Sequence, residues 1–170
     1  MRRNVELKAR DRDPARTFER ARAAGAVEAA VLEQRDTYFR TTSGRLKLRE
    51  EVGLPAALVA YGRADVHEPR ASEYGLVAVA DPEALLRALE LVLGVRGIVD
   101  KRRRLLLWEE TVRLHLDEVR GLGAFLEIEA VAAPASDLVG EREQVERLAT
   151  ALGIEPEDVV AESYIDLLAR

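Results

Sequence analysis

Hydrophobic and polar residues alternate along most of this chain. Between Asn4 and Arg10, Val5, Leu7 and Ala9 share one face, and the charged or amide side chains share the other. A period of two is typical of a strand with one buried face. The alternation recurs and predicts about eight strands, over residues 4–10, 31–40, 45–49, 57–63, 71–80, 98–108, 112–117 and 125–130.

Helical signals lie between these strands and at the end of the chain. Asp13-Pro14 and Asp81-Pro82 each place a capping carboxylate before a proline that suits a first helical turn. These helices should end near Gly25 and Gly94, and residues 138–152 and 156–168 also have a helical pattern. The elements predict an α+β fold dominated by antiparallel sheet, in a single domain over residues 1–170.

Composition excludes several classes of protein. The longest uncharged stretches, such as residues 52–62, are too short to span a bilayer, and the first residues turn polar where a signal peptide needs an apolar run. A net charge of -5 argues against a broad nucleic-acid surface. With no cysteine, the chain has neither disulfides nor zinc-thiolate sites. We therefore expect a cytoplasmic protein with no nucleic-acid or membrane partner, and we leave a homodimer open.

The choice of basic residue adds a clue. Of the 26 basic residues only Lys8, Lys47 and Lys101 are lysines. An ammonium group is a compact charge that approaches a single phosphate oxygen, whereas a guanidinium is a broad planar fork. The three lysines therefore mark candidate phosphate contacts, although three lysines could also persist by chance.

The polar faces of the predicted strands are densely charged. They hold Glu6, Lys8, Lys47, Arg49, Arg63, Lys101, Arg103, Arg113, Asp117, Glu127 and Glu129. One interpretation is the solvent face of an ordinary antiparallel sheet. The other is the interior of a closed barrel, where eight strands leave room for a small ligand and the apolar residues pack outward against helices.

A charged barrel interior needs a ligand that balances it, because unpaired buried charges are costly. The excess of cations calls for an anion. The carboxylates of Glu6, Asp117, Glu127 and Glu129 are hard oxygen ligands that suit Mg²⁺ or Mn²⁺. A complex of a divalent metal with a polyphosphate satisfies both demands.

Several of these segments, in order, resemble the motifs of the CYTH superfamily, also called triphosphate tunnel metalloenzymes. The resemblance covers nearly the whole chain. It rests on Asn4-Val5-Glu6-Leu7-Lys8, Asp36-Thr37-Tyr38-Phe39, Leu46-Lys47-Leu48-Arg49, Tyr61 with Arg63, Lys101 with Arg103, His115-Leu116-Asp117, Phe125-Leu126-Glu127-Ile128-Glu129 and Ser163-Tyr164-Ile165-Asp166-Leu167-Leu168.

The resemblance implies a closed eight-stranded antiparallel β-barrel with helices packed outside. It also implies Mg²⁺ or Mn²⁺ on the Glu-x-Glu carboxylates, and a triphosphate held by Lys8, Lys47, Arg49, Arg63, Lys101, Arg103 and Arg113. It is closest to the class IV adenylyl cyclase branch, which implies conversion of ATP to cyclic AMP and pyrophosphate. An inorganic or organic triphosphatase and a non-catalytic nucleotide-binding module are the alternatives. Asn4 stands where the family has a first glutamate, which puts a second metal in doubt.

Lys8, Arg113 and His115 are the candidate catalytic residues. His115 could pass a proton near neutral pH, or it could simply pair with Asp117. Tyr38, Tyr61 and Asp36 could contact substrate or belong to the core or rim. His67 lies in a loop without ligand spacing, so we assign it no role.

Overall fold

The chain, described over residues 1–170 by a computed structural model, forms a closed antiparallel barrel. Its strands are β1 (Arg2–Arg10), β2 (Val27–Phe39), β3 (Arg45–Glu51), β4 (Leu54–Arg63), β5 (Arg70–Val79), β6 (Val95–Trp108), β7 (Val112–Val119) and β8 (Gly123–Val131). Their order around the barrel is β1-β5-β4-β3-β2-β6-β7-β8, and β1 closes it by pairing with both β5 and β8. The predicted α+β fold with a closed eight-stranded antiparallel β-barrel is confirmed.

Four helices lie outside the barrel or at its end: α1 (Pro14–Ala23), α2 (Pro82–Leu93), α3 (Val139–Leu152) and α4 (Tyr164–Leu168). The side chains of Asp13 and Asp81 accept hydrogen bonds from the backbone N–H groups of Arg16 and Ala84, as the capping pattern predicts. None of the helices combines the length and the hydrophobicity needed to cross a bilayer.

The hydrophobic core lies outside the barrel wall. Val5, Leu114 and Ile128 point outward and pack with Val145 and Leu148 of α3. On another side of the barrel, α2 covers Phe39 and Leu48. Because successive residues of a strand face opposite sides, the polar positions face the interior. The charged faces therefore line a lumen, and the solvent-face interpretation is wrong.

Helix α4 closes one end of the barrel. Tyr164 and Ile165 pack there against Val99 and Phe125. Gly97 permits this close approach, because a Cβ atom at that position would lie 2.7 Å from the Cδ1 atom of Ile165. The lumen is therefore reached from the opposite end.

The largest differences from the predicted elements lie at the start of β2 and in residues 156–168. Strand β2 begins at Val27, four residues before the predicted start. Residues 156–168 are not one helix: a 3₁₀ turn (Pro156–Asp158) and α4 are separated by an extended segment. This segment is held against β1, where the N–H of Val160 donates to the carbonyl of Lys8. Pairing with β1 outweighs the local helical pattern.

Candidate active site in the barrel lumen

The lumen holds a cavity of about 390 Å³ with a strongly charged wall. Seven cationic side chains line it, namely Lys8, Lys47, Arg49, Arg63, Lys101, Arg103 and Arg113, together with the acidic Glu6, Glu51, Glu127 and Glu129. The wall thus carries three more positive than negative groups in a chain whose net charge is -5. All seven residues predicted to bind substrate meet here, with three of the four predicted metal ligands.

Asp36, behind the cavity wall, holds three of these cations. Its carboxylate, fully buried, accepts hydrogen bonds from Nε and Nη2 of Arg49 at 2.7 and 2.8 Å and from Nζ of Lys47 at 2.8 Å. Lys101 Nζ lies 3.4 Å away. Burial alone would raise the pKa of Asp36, but the charges of Arg49, Lys47 and Lys101 hold it well below its usual range. Asp36 is therefore ionised and fixes the cations at the wall.

Asp117 fixes the position of Arg103, as Asp36 fixes Lys47, Arg49 and Lys101. The guanidinium of Arg103 binds both carboxylate oxygens, at 2.6 and 2.5 Å, and the Tyr164 hydroxyl donates to Oδ2 at 2.9 Å. Asp117 is 3% exposed and does not line the cavity. Asp117 therefore positions Arg103 from behind the cavity wall, whereas the sequence analysis predicted a metal ligand at this position.

Glu127 forms ion pairs with cations of two different strands, Lys8 of β1 and Arg103 of β6. Its carboxylate lies 3.2 Å from Lys8 Nζ and accepts a hydrogen bond from Arg103 Nη2 at 2.7 Å. Despite burial, these cations hold the pKa of Glu127 well below its usual range. Burial lowers the pKa of Lys8 to about 8, even with Glu127 beside it. Lys8 also lies 3.9 Å from the ring centre of Tyr164, which closes the cavity from α4.

Glu6 and Glu129 stand directly opposite each other on β1 and β8. Like charges in such a pair repel, so each needs a cation or a donor. Glu6 lies 3.2 Å from Arg63 and 3.3 Å from Arg70, and Glu129 lies 3.5 Å from Arg113. The side-chain amide of Asn4 donates to Glu129. Asn4 thus orients Glu129, one of the carboxylates that the CYTH resemblance assigns to the metal.

His115 lies between the two carboxylates of β8. Its Nδ1 is 3.7 Å from Glu127 and its Nε2 is 4.0 Å from Glu129. Burial, followed by the charge of Arg103, lowers the pKa of His115, so that the ring is neutral at neutral pH. A neutral imidazole keeps one unprotonated nitrogen, which could accept a proton.

Unpartnered polar atoms concentrate around the cavity. Of six buried side-chain atoms without a hydrogen-bond partner, four belong to residues that line it: Asn4 Oδ1, Gln34 Oε1, Tyr74 OH and His115 Nδ1. Buried polar groups are rarely left without a hydrogen-bond partner, so these four atoms are available to form hydrogen bonds with a ligand.

The donor set fits a divalent cation that arrives with its substrate. No group of three or more acidic or histidine side chains is placed to hold a metal by itself. Mg²⁺ commonly uses one or two carboxylates and completes its shell with water and substrate phosphates. Glu6, Glu127 and Glu129 line one cavity and supply such oxygens, and the unpartnered Oδ1 of Asn4 is a further one.

The structure adds cavity residues to which the sequence analysis gave no role. Gln34, Glu51, Tyr74 and Tyr164 line the cavity, while the predicted Tyr38 and Tyr61 line it with their hydroxyl groups 3.5 Å apart. Gln34 and Glu51 have lumen parity on strands that carry predicted site residues, and that parity could have flagged them. His67 is exposed and lies outside this cavity.

Proteins that resemble this chain in sequence or fold cover nearly its whole length. A Methanocaldococcus jannaschii protein named "Putative adenylate cyclase" is 23% identical over 171 residues, which cover 96% of this chain and 97% of that protein. A Pyrococcus horikoshii protein of solved structure is 25% identical with a TM-score of 0.86, covering 96% of this chain and 98% of its own.

A more distant structure comes from Hippeastrum and is described as an adenylyl cyclase candidate with a dominant triphosphatase activity. It is 18% identical with a TM-score of 0.65, over 99% of this chain and 95% of that one, and so shares the fold. The model of the CYTH domain matches residues 2–164. This chain therefore belongs to the CYTH domain family.

Proposed function

We propose that this protein is a divalent-metal-dependent enzyme that acts on a nucleoside triphosphate in the barrel lumen and converts ATP to cyclic AMP and pyrophosphate. The observation that carries the proposal is the wall of seven cations, four of which are fixed by Asp36 and Asp117 from behind. Such a wall is preorganised for a polyanion, since its charges need no rearrangement when the ligand enters.

The position of each cation along the lumen indicates which part of the triphosphate it would bind. Lys47, Arg49 and Lys101 meet around Asp36, deep in the lumen, and would hold the far end of the triphosphate. Arg113 has a side chain that is 39% exposed and stands at the accessible end, beside Glu129. Lys8 and Arg103 lie between the Asp36 cluster and Arg113, and both form ion pairs with Glu127. This order would place the α-phosphate near Lys8, Glu127 and His115.

Glu6, Glu127 and Glu129 are the residues that would hold Mg²⁺ or Mn²⁺. When bound, the cation neutralises charge on the phosphate oxygens and helps to orient them. Asn4 would hold the Glu129 carboxylate in place through its amide N–H. Asp117 is left out of this ligand set because it is 3% exposed and does not line the cavity, where Arg103 and Tyr164 bind it from the protein side.

In the proposed reaction the ribose 3′-oxygen attacks the α-phosphorus. The bond from that phosphorus to the bridging oxygen of the β-phosphate breaks, and pyrophosphate leaves. His115 would accept the 3′-hydroxyl proton, because its imidazole is neutral and lines the cavity beside Glu127 and Glu129. Lys8 and Arg113 would balance the negative charge that develops on the phosphate oxygens.

Hydrolysis of the triphosphate is the second candidate, because the same cation wall would serve it with water as the nucleophile. The triphosphatase activity described for the Hippeastrum protein, which shares the fold, favours its inclusion. Chromatography of the products from ATP with Mg²⁺ or Mn²⁺ separates the two. Cyclic AMP with pyrophosphate supports the cyclase, and orthophosphate supports the hydrolase. Undiminished turnover in excess EDTA would contradict the metal requirement, and no turnover under any condition would leave a binding module.

A further inference from the structure

A second basic cavity, of about 630 Å³, lies next to the end of the barrel that α4 closes. It is lined by the tip of the hairpin between β2 and β3 and by four arginines, Arg40, Arg45, Arg63 and Arg96. We call it the hairpin pocket. No acidic side chain lines it, although the chain has a net charge of -5. Tyr38 and Arg63 line both this pocket and the lumen, so the two cavities are neighbours.

Asp166 of α4 fixes two of these arginines. Its Oδ2 lies 3.0 Å from Nη2 of Arg45, and its Oδ1 accepts a hydrogen bond from Nη2 of Arg96 at 2.5 Å. Burial alone would raise the pKa of Asp166, but hydrogen bonds from Ser163 and the two arginines hold it well below its usual range. Asp166 does not line the pocket. It therefore holds the guanidinium groups from behind the wall, as Asp36 does in the lumen.

The arginines keep most of their hydrogen-bond donors free. A guanidinium group has five N–H donors, and Arg45 and Arg96 each use only Nη2 in contacts within the protein. Arg40 is exposed and has no acidic partner. The four arginines pair with three carboxylates, one of which, Glu6, belongs to the lumen wall. The hairpin pocket therefore retains positive charge and unused donors.

The hairpin tip adds further donors. The backbone N–H groups of residues 41–44 have no acceptor within the protein, and the hydroxyl groups of Thr42 and Ser43 form no hydrogen bond there. A phosphate group offers several oxygen acceptors, and a guanidinium fork binds two of them at once. We propose that the hairpin pocket is a second binding site, for a small phosphate-type oxyanion. It is separate from the lumen site and does not depend on the proposed reaction.

The test uses pyrophosphate as the probe and counts the molecules bound per chain by equilibrium dialysis. The protein is kept in EDTA, where the proposed reaction does not proceed, and at low salt, where exposed charges are least screened. We expect the parent to bind two pyrophosphates, one in the lumen and one in the hairpin pocket. The second should bind more weakly, because the side chain of Arg96 is 39% exposed.

The double variant Arg40→Gln/Arg96→Gln should weaken the second site at least about tenfold and leave the tighter site unchanged, since neither residue lines the lumen. Arg40→Gln alone removes no ion pair, so the fold is kept, and it should weaken the same site about threefold. Arg16→Gln/Arg22→Gln is the matched control. It removes the same charge from two exposed arginines of α1 and should still bind two pyrophosphates.

A parent that binds only one pyrophosphate per chain would overturn this inference. So would a double variant that still binds two with parental affinity. Equal weakening in the double variant and in the α1 control would overturn it as well, because the effect would then follow net charge and not a site. Each of these results leaves the proposed function of the lumen standing.

Discussion

Asp36→Asn should destabilise the ligand-free protein strongly. The substitution keeps the size of the side chain and removes the only charge that lies within 3.5 Å of Lys47, Arg49 and Lys101 together. The position is fully buried, so water cannot take over from the carboxylate. Removing one partner of a buried ion pair typically costs about 3 to 5 kcal/mol, because the remaining charge stays buried and uncompensated. We expect a loss in this range.

The assay is thermal unfolding of parent and variant with and without tripolyphosphate. For a chain of this length, a loss of about 3 to 5 kcal/mol lowers the melting temperature by roughly 6 to 20 °C. Tripolyphosphate supplies the negative charge that the variant lacks. It should therefore raise the melting temperature of Asp36→Asn by more than it raises that of the parent.

Asp100→Asn is the matched control. Asp100 pairs with Arg35 at 2.8 Å, but the Arg35 side chain is 55% exposed, so the pair is worth less than about 1 kcal/mol. This variant should melt close to the parent and respond to tripolyphosphate as the parent does. If Asp36→Asn melts like Asp100→Asn, or if tripolyphosphate stabilises it less than the parent, the reasoning that links Asp36 to the phosphate site is refuted.

Three further outcomes are expected. Burial lowers the pKa of Lys47 to about 7 and that of Lys8 to about 8, so between pH 7 and roughly 10 the unfolded chain binds more protons than the folded one. The ligand-free melting temperature should rise with pH across this window, and saturating tripolyphosphate should flatten the rise. A melting temperature that falls with pH would contradict the lowered pKa values of the two lysines. Glu127→Gln should abolish or severely reduce metal-dependent turnover, whereas Glu118→Gln, on the outer face of β7, should not; equal activity of the two would remove Glu127 from the ligand set. Tyr164→Phe deletes one donor to Asp117 and should cost about 1 kcal/mol in urea unfolding; an unchanged midpoint would mean that this hydrogen bond contributes nothing.

The sequence predicted the barrel well because strand periodicity is a local property. Alternation placed Lys47, Arg49 and Glu127 on one kind of face without any knowledge of their neighbours. The CYTH resemblance then decided between a solvent face and a lumen. Segments 156–158 and 164–168 were less readable, because the extended segment between them is fixed by a contact with β1 that is distant in sequence.

The roles of the two buried aspartates could not be read from the sequence in the same way. Parity places Asp36 and Asp117 on the lumen side, but it does not show whether a side chain meets the ligand or another protein group. That depends on register: Asp36 lies opposite Arg49, and Asp117 lies opposite Arg103. A one-residue shift between strands would have given other partners.

The most direct measurement is a crystal structure of the protein grown with tripolyphosphate and Mn²⁺, with anomalous data collected to locate the metal. We predict phosphate density in the lumen against Lys47, Arg49 and Lys101, and an anomalous peak beside Glu127 and Glu129. Both signals on the outer surface, with only water in the lumen, would contradict the assignment of this cavity as the triphosphate site.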